Sequence, residues 1–289
     1  MSITITNQEF ELIRRFIEER CGILLGQDKA YLVENRLSNL AKHAGCSSFG
    51  EFYRKIRNEN GSKPLQNAVL DAISTNETLW FRDRHPFRIL AEELLPKLTN
   101  EIVSGLRESI SVWSAGCSTG QEPYSIAITI KEYFNSYGCN QELLDRVSIT
   151  ATDVSASALA AAEKGVYSET AIKRGLSQDC LHRFFKKEMN LWHILPEIRR
   201  MITFRRYNLK DPPPRGFESF DVVFMRNVII YFSDSFRRAI FDKVARMMSP
   251  GGCLFLGTGE TLIGYTKAFE TRNYKGGVYY RLVNRRPMC

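Results

Sequence analysis

The sequence predicts an α/β chain in two parts: a small all-helical unit over residues 1–74, then a doubly wound parallel sheet flanked by helices over 75–289. Three observations predict it. Up to about Ser74, apolar residues recur at helical spacing. Beyond that point, short apolar runs alternate with amphipathic helices, the pattern of parallel strands joined by crossovers. Gly116 and Gly120 fall where one such run passes into a helix, a turn that lets backbone N–H groups come close to a ligand. At 289 residues the chain has room for one full α/β domain and a smaller companion.

Taken in order, Phe10, Ile13 and Ile17 mark a first helix, and Val33, Leu37, Leu40 and Ala44 a second. Phe49, Phe52 and Ile56 mark a third, and Leu65, Ala68 and Ala72 a fourth. Breaks fall at Gly22 to Gln27, Gly45 to Ser48 and Asn60 to Pro64, with Asp28 and Ser47 or Ser48 as N-caps and Gly45 as a stop. Strands are expected at Ile110 to Ala115, Val147 to Thr152, Asp221 to Met225 and Cys253 to Gly257. Helices are expected at Pro123 to Phe134, Ala156 to Lys164 and Ser235 to Met248. Gly276-Gly277 before Val278 to Leu282 reads as a hairpin strand closing the sheet at its edge. Cys180 to Tyr207 interrupts the alternation with a basic and aromatic stretch, read as a small β insertion.

Composition excludes several classes. No run of 18 apolar residues occurs and the N-terminus lacks a signal-peptide layout, so a cytoplasmic protein without membrane insertion is expected. The seven cysteines form no CxxC pair and read as reduced thiols, and the four histidines show no HExxH spacing, so no metal site is expected. The net charge is +8, and the segment from Ala171 to Arg215 alone, with eleven bases against four acids, carries +7. Such a segment suits nucleic acid, an acidic protein surface or a solvated face.

The glycine turn is spaced G-x-x-x-G, not G-x-G-x-x-G, and the next strand-end acid, Asp153, lies farther on than the roughly 20 residues of a dinucleotide site. NAD is disfavoured. Asp153 could accept hydrogen bonds from ribose hydroxyls or merely cap the helix opening near Ser155. Glu122 either complements the dipole of its own helix or holds an ammonium group, which S-adenosylmethionine has and NAD lacks.

Four stretches carry a family resemblance: Thr75-Asn76-Glu77-Thr78-Leu79-Trp80-Phe81-Arg82-Asp83, Trp113 to Ser125, Ala151-Thr152-Asp153, and Phe224 to Phe232. In this order they resemble the CheR family of bacterial chemotaxis-receptor glutamate O-methyltransferases, over the chain from the helical unit to Glu260. The resemblance implies a Rossmann-like fold that binds S-adenosylmethionine and releases S-adenosylhomocysteine. It implies that Asn76, Thr78 and Arg82 close over the cofactor, that Glu122 holds its amino group and Asp153 its ribose, and that Asn208, Leu209, Arg226 and Asn227 complete the contacts. Tyr231 matches a tyrosine near the transferred methyl. Apart from the resemblance, Asn208 reads as a turn residue, Arg226 as a surface charge and Tyr231 as a core aromatic beside Phe232. Gly257-Thr258-Gly259-Glu260 departs from the resemblance, since the family more often shows a serine before the glutamate.

The implied reaction is displacement at a sulfonium methyl by a glutamate carboxylate, which is already ionised at neutral pH and needs no general base. Catalysis then rests on positioning and exclusion of water. Arg82 is expected either to orient the carboxylate through its non-attacking oxygen or to bind the cofactor, since tight pairing to the attacking oxygen would stabilise the ground state.

Lys29, Arg36 and His43 recur every seven residues and are expected to share one helix face. That face is either solvated or, in a receptor methyltransferase, the dock for a glutamate-rich receptor helix. Some family members also hold a receptor-tail peptide through a glycine-containing loop of the β insertion. Here no glycine lies between Gly175 and Gly216, so an enzyme without that tether is expected. Two other readings compete: a nucleic-acid methyltransferase and a non-catalytic cofactor-binding adaptor. Asp211-Pro212-Pro213-Pro214 superficially suggests the former, but Pro214 cannot stack on a flipped base and the segment precedes its strand.

Overall fold

The structure is a computed structural model describing residues 3–58, 63–136, 138, 141–217 and 219–283. Four helices build the N-terminal unit: α1 (Asn7–Cys21), α2 (Ala30–His43), α3 (Phe49–Arg57) and α4 (Lys63–Ile73). Thr6 opens α1 with a capping box, accepting from Glu9 N while the Glu9 carboxylate accepts from Thr6 N, and Gly22 closes it in the left-handed region. Ile13, Phe16, Ile17, Val33, Leu37, Phe49, Phe52 and Val69 pack into one core.

Several local expectations shift. Asp28 is not a cap: it lies in a 3-10 turn, and Lys29 precedes α2 with no side-chain cap bond. Ser48 is the cap of α3, accepting from Glu51 N. The break read at Asn60 to Pro64 falls partly outside the described residues, and Pro64 already lies in the first turn of α4, a position that proline tolerates. The face α4 buries is Val69, Leu70 and Ile73, turned from the expected one because α4 also packs on the second domain.

The large sheet has seven strands in the order β6-β2-β1-β7-β8-β10-β9. These are β1 (Ile110–Ala115), β2 (Val147–Asp153), β6 (Ile202–Arg206), β7 (Phe220–Phe224), β8 (Met248–Phe255), β9 (Phe269–Tyr274) and β10 (Gly277–Leu282). The first five in that order run parallel, while β10 is antiparallel to both neighbours. Strand β1 is buried on both faces: Ile110 and Val112 enter one core and Trp113 and Ala115 the other, the two-residue period of a strand. Helices α6 (Gln121–Ser136), α7 (Ala156–Lys164) and α8 (Asp234–Met247) follow β1, β2 and β7, and α5, a helix over 85–103 with one π turn, precedes β1.

Three strand expectations are corrected. β8 begins five residues before Cys253, at Met248: between the Phe220–Met248 and Val222–Cys253 pairs the register shifts, and the extra residues, Gly251 and Gly252 among them, lie in β8 itself. The last strand, β10, is internal, and β9 forms the edge. The stretch 180–207 is not one insertion. Its β6 pairs with β2 in the main sheet, Cys180 to Phe184 are helical, and the small sheet consists of β3 (Val166–Ser168), β4 (Phe185–Glu188) and β5 (Leu191–Ile194).

Polar contacts join the helical unit to the sheet. Asp71 on α4 accepts from the Ser155 and Ser157 hydroxyls and Ser157 N at the start of α7. Asn208 Nδ2 donates to Arg20 O at the end of α1, and Ile23 bridges Phe232. Arg36 is not a free docking charge: its Nη1 donates to Ile73 O at 2.6 Å and Ser74 O at 3.1 Å, satisfying the open carbonyls at the end of α4. Lys29 lies outside α2 and pairs with Asp28, and the exposed His43 ring bonds Asn39 O, so the heptad spacing does not make one cationic stripe. Arg36→Ala should therefore cost about 1.5–3 kcal/mol of stability, the scale of charged hydrogen bonds, measured by urea denaturation. Lys29→Ala should leave the midpoint in place.

Candidate active site

Strand order reverses at β1, which lies between β2 and β7, and in open α/β sheets ligands bind beyond the carboxyl ends of the strands at such a point. A cleft of about 240 Å³ lies there, near the lower end of the volumes usual for small-molecule sites. The loops after β1, β2 and β7 supply one wall, and the end of α1 and the segment 74–82 supply the other. Gly116 sits at φ 76°, and a Cβ on it would come within 2.5 Å of Val228 Cγ2, so only glycine lets the two loops meet.

Asn76, Thr78, Arg82, Glu122, Asp153, Asn208, Leu209, Arg226, Asn227 and Tyr231 all line this cleft, whereas Lys29, Arg36 and His43 lie elsewhere. Arg226, read from sequence as a surface charge, has a side chain only 1% exposed. Its Nη1 donates to Glu122 Oε2 at 3.0 Å, and its Nη2 donates to Asp83 Oδ2 at 2.7 Å and Arg82 O at 2.6 Å. Glu122 Oε1 also accepts from Ser114 Oγ. Burial pushes the Glu122 carboxyl above its ordinary pKa despite Arg226. At Asp83 burial acts the same way, but Arg226 and neighbouring donors outweigh it and the pKa is lowered.

Asp153 does not cap α7; Ser155 does, accepting from Ala158 N. Asp153 accepts from Ser118 N at 2.8 Å and Ser155 N at 2.9 Å, which ties the glycine turn to the end of β2. Burial raises its pKa as well. A carboxylate has about four acceptor sites, so Glu122 and Asp153 each keep capacity toward the cleft. Asn208 is both turn residue and clamp, since its Oδ1 accepts from Lys210 N while its amide holds α1. Tyr231, in a 3-10 turn and 36% exposed, is no core aromatic.

Arg82 sits in a tight turn whose neighbours Phe81, Asp83 and Arg84 all have positive φ, at about 1–3 kcal/mol of strain each. Trp80, buried between Tyr167 and Phe185, and the Arg226 contacts hold this turn in place. The Arg82 guanidinium itself has no hydrogen-bond or ion-pair partner among the described residues. Sequence reasoning passed over two members of the site. Asp83 closes the first of the four family stretches without a role of its own, and its acid type beside an arginine was the available signal. Glu260 accepts from Asn227 N, Gly257 N and Ile230 N and had no signal beyond its place at the end of the resemblance.

Among the described residues, five of the eleven bases of the basic segment are ion-paired, Lys186 with Glu188 among them. Arg174 pairs Glu77, Arg183 pairs Glu132 and Asp179, and Lys173 and Lys187 pair Glu169. Cys21, Cys46, Cys117, Cys180 and Cys253 are unpaired thiols; Cys139 and Cys289 lie outside the described residues. Among the described residues no cluster of His, Cys, Asp and Glu could hold a metal, and no helix is long and apolar enough to cross a membrane.

The acceptor set fits a cationic cofactor: the carboxylates Glu122 and Asp153 line the cleft, and Asn227 Oδ1 is buried without a partner, open to a ligand donor. Comparison with known proteins gives the cofactor a name. The description "CheR methyltransferase, all-alpha domain" matches residues 8–74, and "CheR methyltransferase, SAM binding domain" matches 76–278. The chemotaxis protein methyltransferase 1 of Pseudomonas aeruginosa is 41% identical over 280 residues, covering 96% of this chain and 99% of that protein. A chemotaxis protein methyltransferase of Vibrio parahaemolyticus is 41% identical over 282 residues, covering 97% and 99%. One from Borreliella burgdorferi is 34% identical over 267 residues, covering 91% and 92%.

Fold, cleft and matches define the class: an S-adenosylmethionine-dependent methyltransferase. The chain belongs to the CheR methyltransferase family. Because Arg226 neutralises two carboxylates away from water, Arg226→Ala should lower stability by about 3–5 kcal/mol, the cost of breaking a buried ion pair, in chemical denaturation. Arg226→Lys should recover only part of it, since a point charge cannot span Glu122, Asp83 and the Arg82 carbonyl.

Proposed function

We propose that this enzyme methylates glutamate side-chain carboxylates of chemoreceptors in the cytoplasm, giving methyl esters and S-adenosylhomocysteine. The observation that carries this reading is an unpartnered guanidinium, Arg82, in a cleft lined by no histidine among the described residues. Such a cleft lacks the usual general base and suits a nucleophile that arrives already ionised. The cleft's one cysteine, Cys21, is pushed up to about 11 by burial and is a thiol at neutral pH.

S-Adenosylmethionine, when bound, supplies an electrophilic methyl on a sulfonium centre. Glu122 and Asp153 would hold its ammonium and ribose, Asn76, Thr78, Asn208 and Leu209 would enclose it, and Asn227 would accept from it through Oδ1. Arg226 acts behind these residues by fixing Glu122 and the Arg82 turn. Arg82 would orient the incoming carboxylate through the oxygen that does not attack, and Tyr231 would wall the reacting carbon from water. In this proposal residues 1–74 form the unit that presents the receptor, and the catalytic domain begins at 75.

The receptor's acidic helices would approach across the helical unit, with Lys29 and His43 at most on the periphery and Arg36 engaged in the fold. Tether independence is supported by the β4–β5 hairpin, which has no glycine and turns instead at Met189, φ 52° and almost fully exposed. Nucleic acid is disfavoured because Pro214, in the only DPP-like stretch, cannot stack on a flipped base, and the cleft presents the carboxylates Glu122 and Asp153.

Labelled methyl donor with receptor-containing membranes should yield methanol on base treatment; base-stable label would point to nucleic acid or amine, and no label to an adaptor. Arg82→Ala should lower kcat/KM by about 10²-fold or more, with little recovery in Arg82→Lys, consistent with loss of a positioned charge contact of roughly 3 kcal/mol. A cationic donor needs ionised Glu122, and a raised pKa means that Glu122 takes up its proton before ordinary carboxylates as pH falls. Donor affinity should thus decline on acidification while surface carboxylates remain charged. Calorimetry on Glu122→Gln should show weaker binding at neutral pH and a flatter pH dependence.

A further inference from the structure

Glu260 carries no family role in the site, yet its carboxylate is the most heavily shared acceptor near it. It is 9% exposed and has no salt-bridge partner among the described residues. Its Oε2 accepts from Asn227 N and Gly257 N, both at 2.7 Å, and its Oε1 accepts from Ile230 N at 3.2 Å. These donors belong to two loops, one after β7 and one after β8, so one carboxylate ties together the ends of adjacent strands. Backbone N–H groups at such loop ends have no strand partner, and a buried carboxylate satisfies three of them at once.

What these bonds hold is unusual. Asn227 lies at φ 58°, a conformation that must be held by its surroundings, and its Oδ1 is buried with no protein partner. Its Nδ2 packs on Gly257, where an added Cβ would stand 2.7 Å from Nδ2 and 2.9 Å from Glu260 Oε2. The third donor, Ile230, immediately precedes Tyr231 in the 3-10 turn that borders the cleft. Anchoring Asn227 N and Ile230 N sets both the direction of the Asn227 amide and the position of Tyr231.

We infer that Glu260 is a positioning residue for methyl transfer, acting through Asn227 and Tyr231 by clamping the loops after β7 and β8. The inference rests on the proposed reading that Asn227 serves the cofactor site. It also explains the glycine at 257: a side chain there would separate the carboxylate from the amide that it orients.

Three variants of the full-length protein test it: Glu260→Gln, which removes the charged acceptor; Gly257→Ala, which keeps the charge but pushes on the same contact; and Asn227→Ala. Donor binding is read by calorimetry, and kcat and acceptor KM by methyl transfer to receptor membranes. Glu260→Gln and Gly257→Ala should each weaken donor binding by about tenfold or more, the scale of one charge-assisted hydrogen bond, with kcat lowered and acceptor KM unchanged. Combined with Asn227→Ala, Glu260→Gln should add nothing further, because both act on one element. If Glu260→Gln does not fold, Gly257→Ala decides alone. Wild-type donor binding in Gly257→Ala and Glu260→Gln, beside a weakened Asn227→Ala, would overturn the inference and leave the site reading intact. Additive losses in the double variant would overturn it too. Wild-type binding by Asn227→Ala would overturn the site reading and this inference with it.

Discussion

One buried cation organises the cleft. The Arg226 guanidinium is withdrawn from water and neutralises Glu122 on one side and Asp83 on the other, while the same Nη2 holds the Arg82 carbonyl. Stranding a single charge in a place this dry costs several kcal/mol, so each partner keeps the others in position. The carboxylate after β1, the strained turn after the helical unit and the loop after β7 are therefore set by one planar fork, whose geometry no lysine reproduces.

Around that fork the cleft stays acidic, with one guanidinium left over. Two carboxylates, Glu122 and Asp153, are raised by burial yet retain open acceptor sites. This division suits a cationic ligand inside and an anionic group arriving at Arg82. Positioning falls to backbone strain and stapled loops: Phe81, Asp83, Arg84, Ser118 and Asn227 all have positive φ, in the turn around Arg82 or in the loops of the cleft. Strain of that kind persists only where the surroundings over-determine it, and Trp80, Ser125, Asp153 and Glu260 are the residues that do so here.

Much of the fold was legible because it follows from short-range pattern. The four N-terminal helices, β1, β2, α7 and α8 emerge where periodicity places them. What failed did so for non-local reasons. β6 looked like part of an insertion because its pairing with β2 lies some fifty residues away. β8 was read short because the pair that starts it, Met248 with Phe220, lies beyond an irregular Pro250-Gly251-Gly252 stretch and is set by the neighbouring strand, not by alternation along its own sequence. Asp28 had the chemistry of a cap, but the 3-10 turn carries it away from the helix start. Arg36 fitted a heptad stripe, but the chain returns at Ser74 and places two open carbonyls against it.

By itself the sequence determined which residue types stand at the strand ends: glycines where loops must touch, Glu122 and Asp153 as acceptors, Arg82 and Arg226 as cations, because local period and motif order are written along the chain. Only tertiary structure decided what each of them does with its charge. Arg226 is spent on Glu122 and Asp83 while Arg82 remains free, and Glu260 joins a loop 33 residues away. Charge pairing and desolvation depend on distances across the fold, which neither composition nor spacing contains.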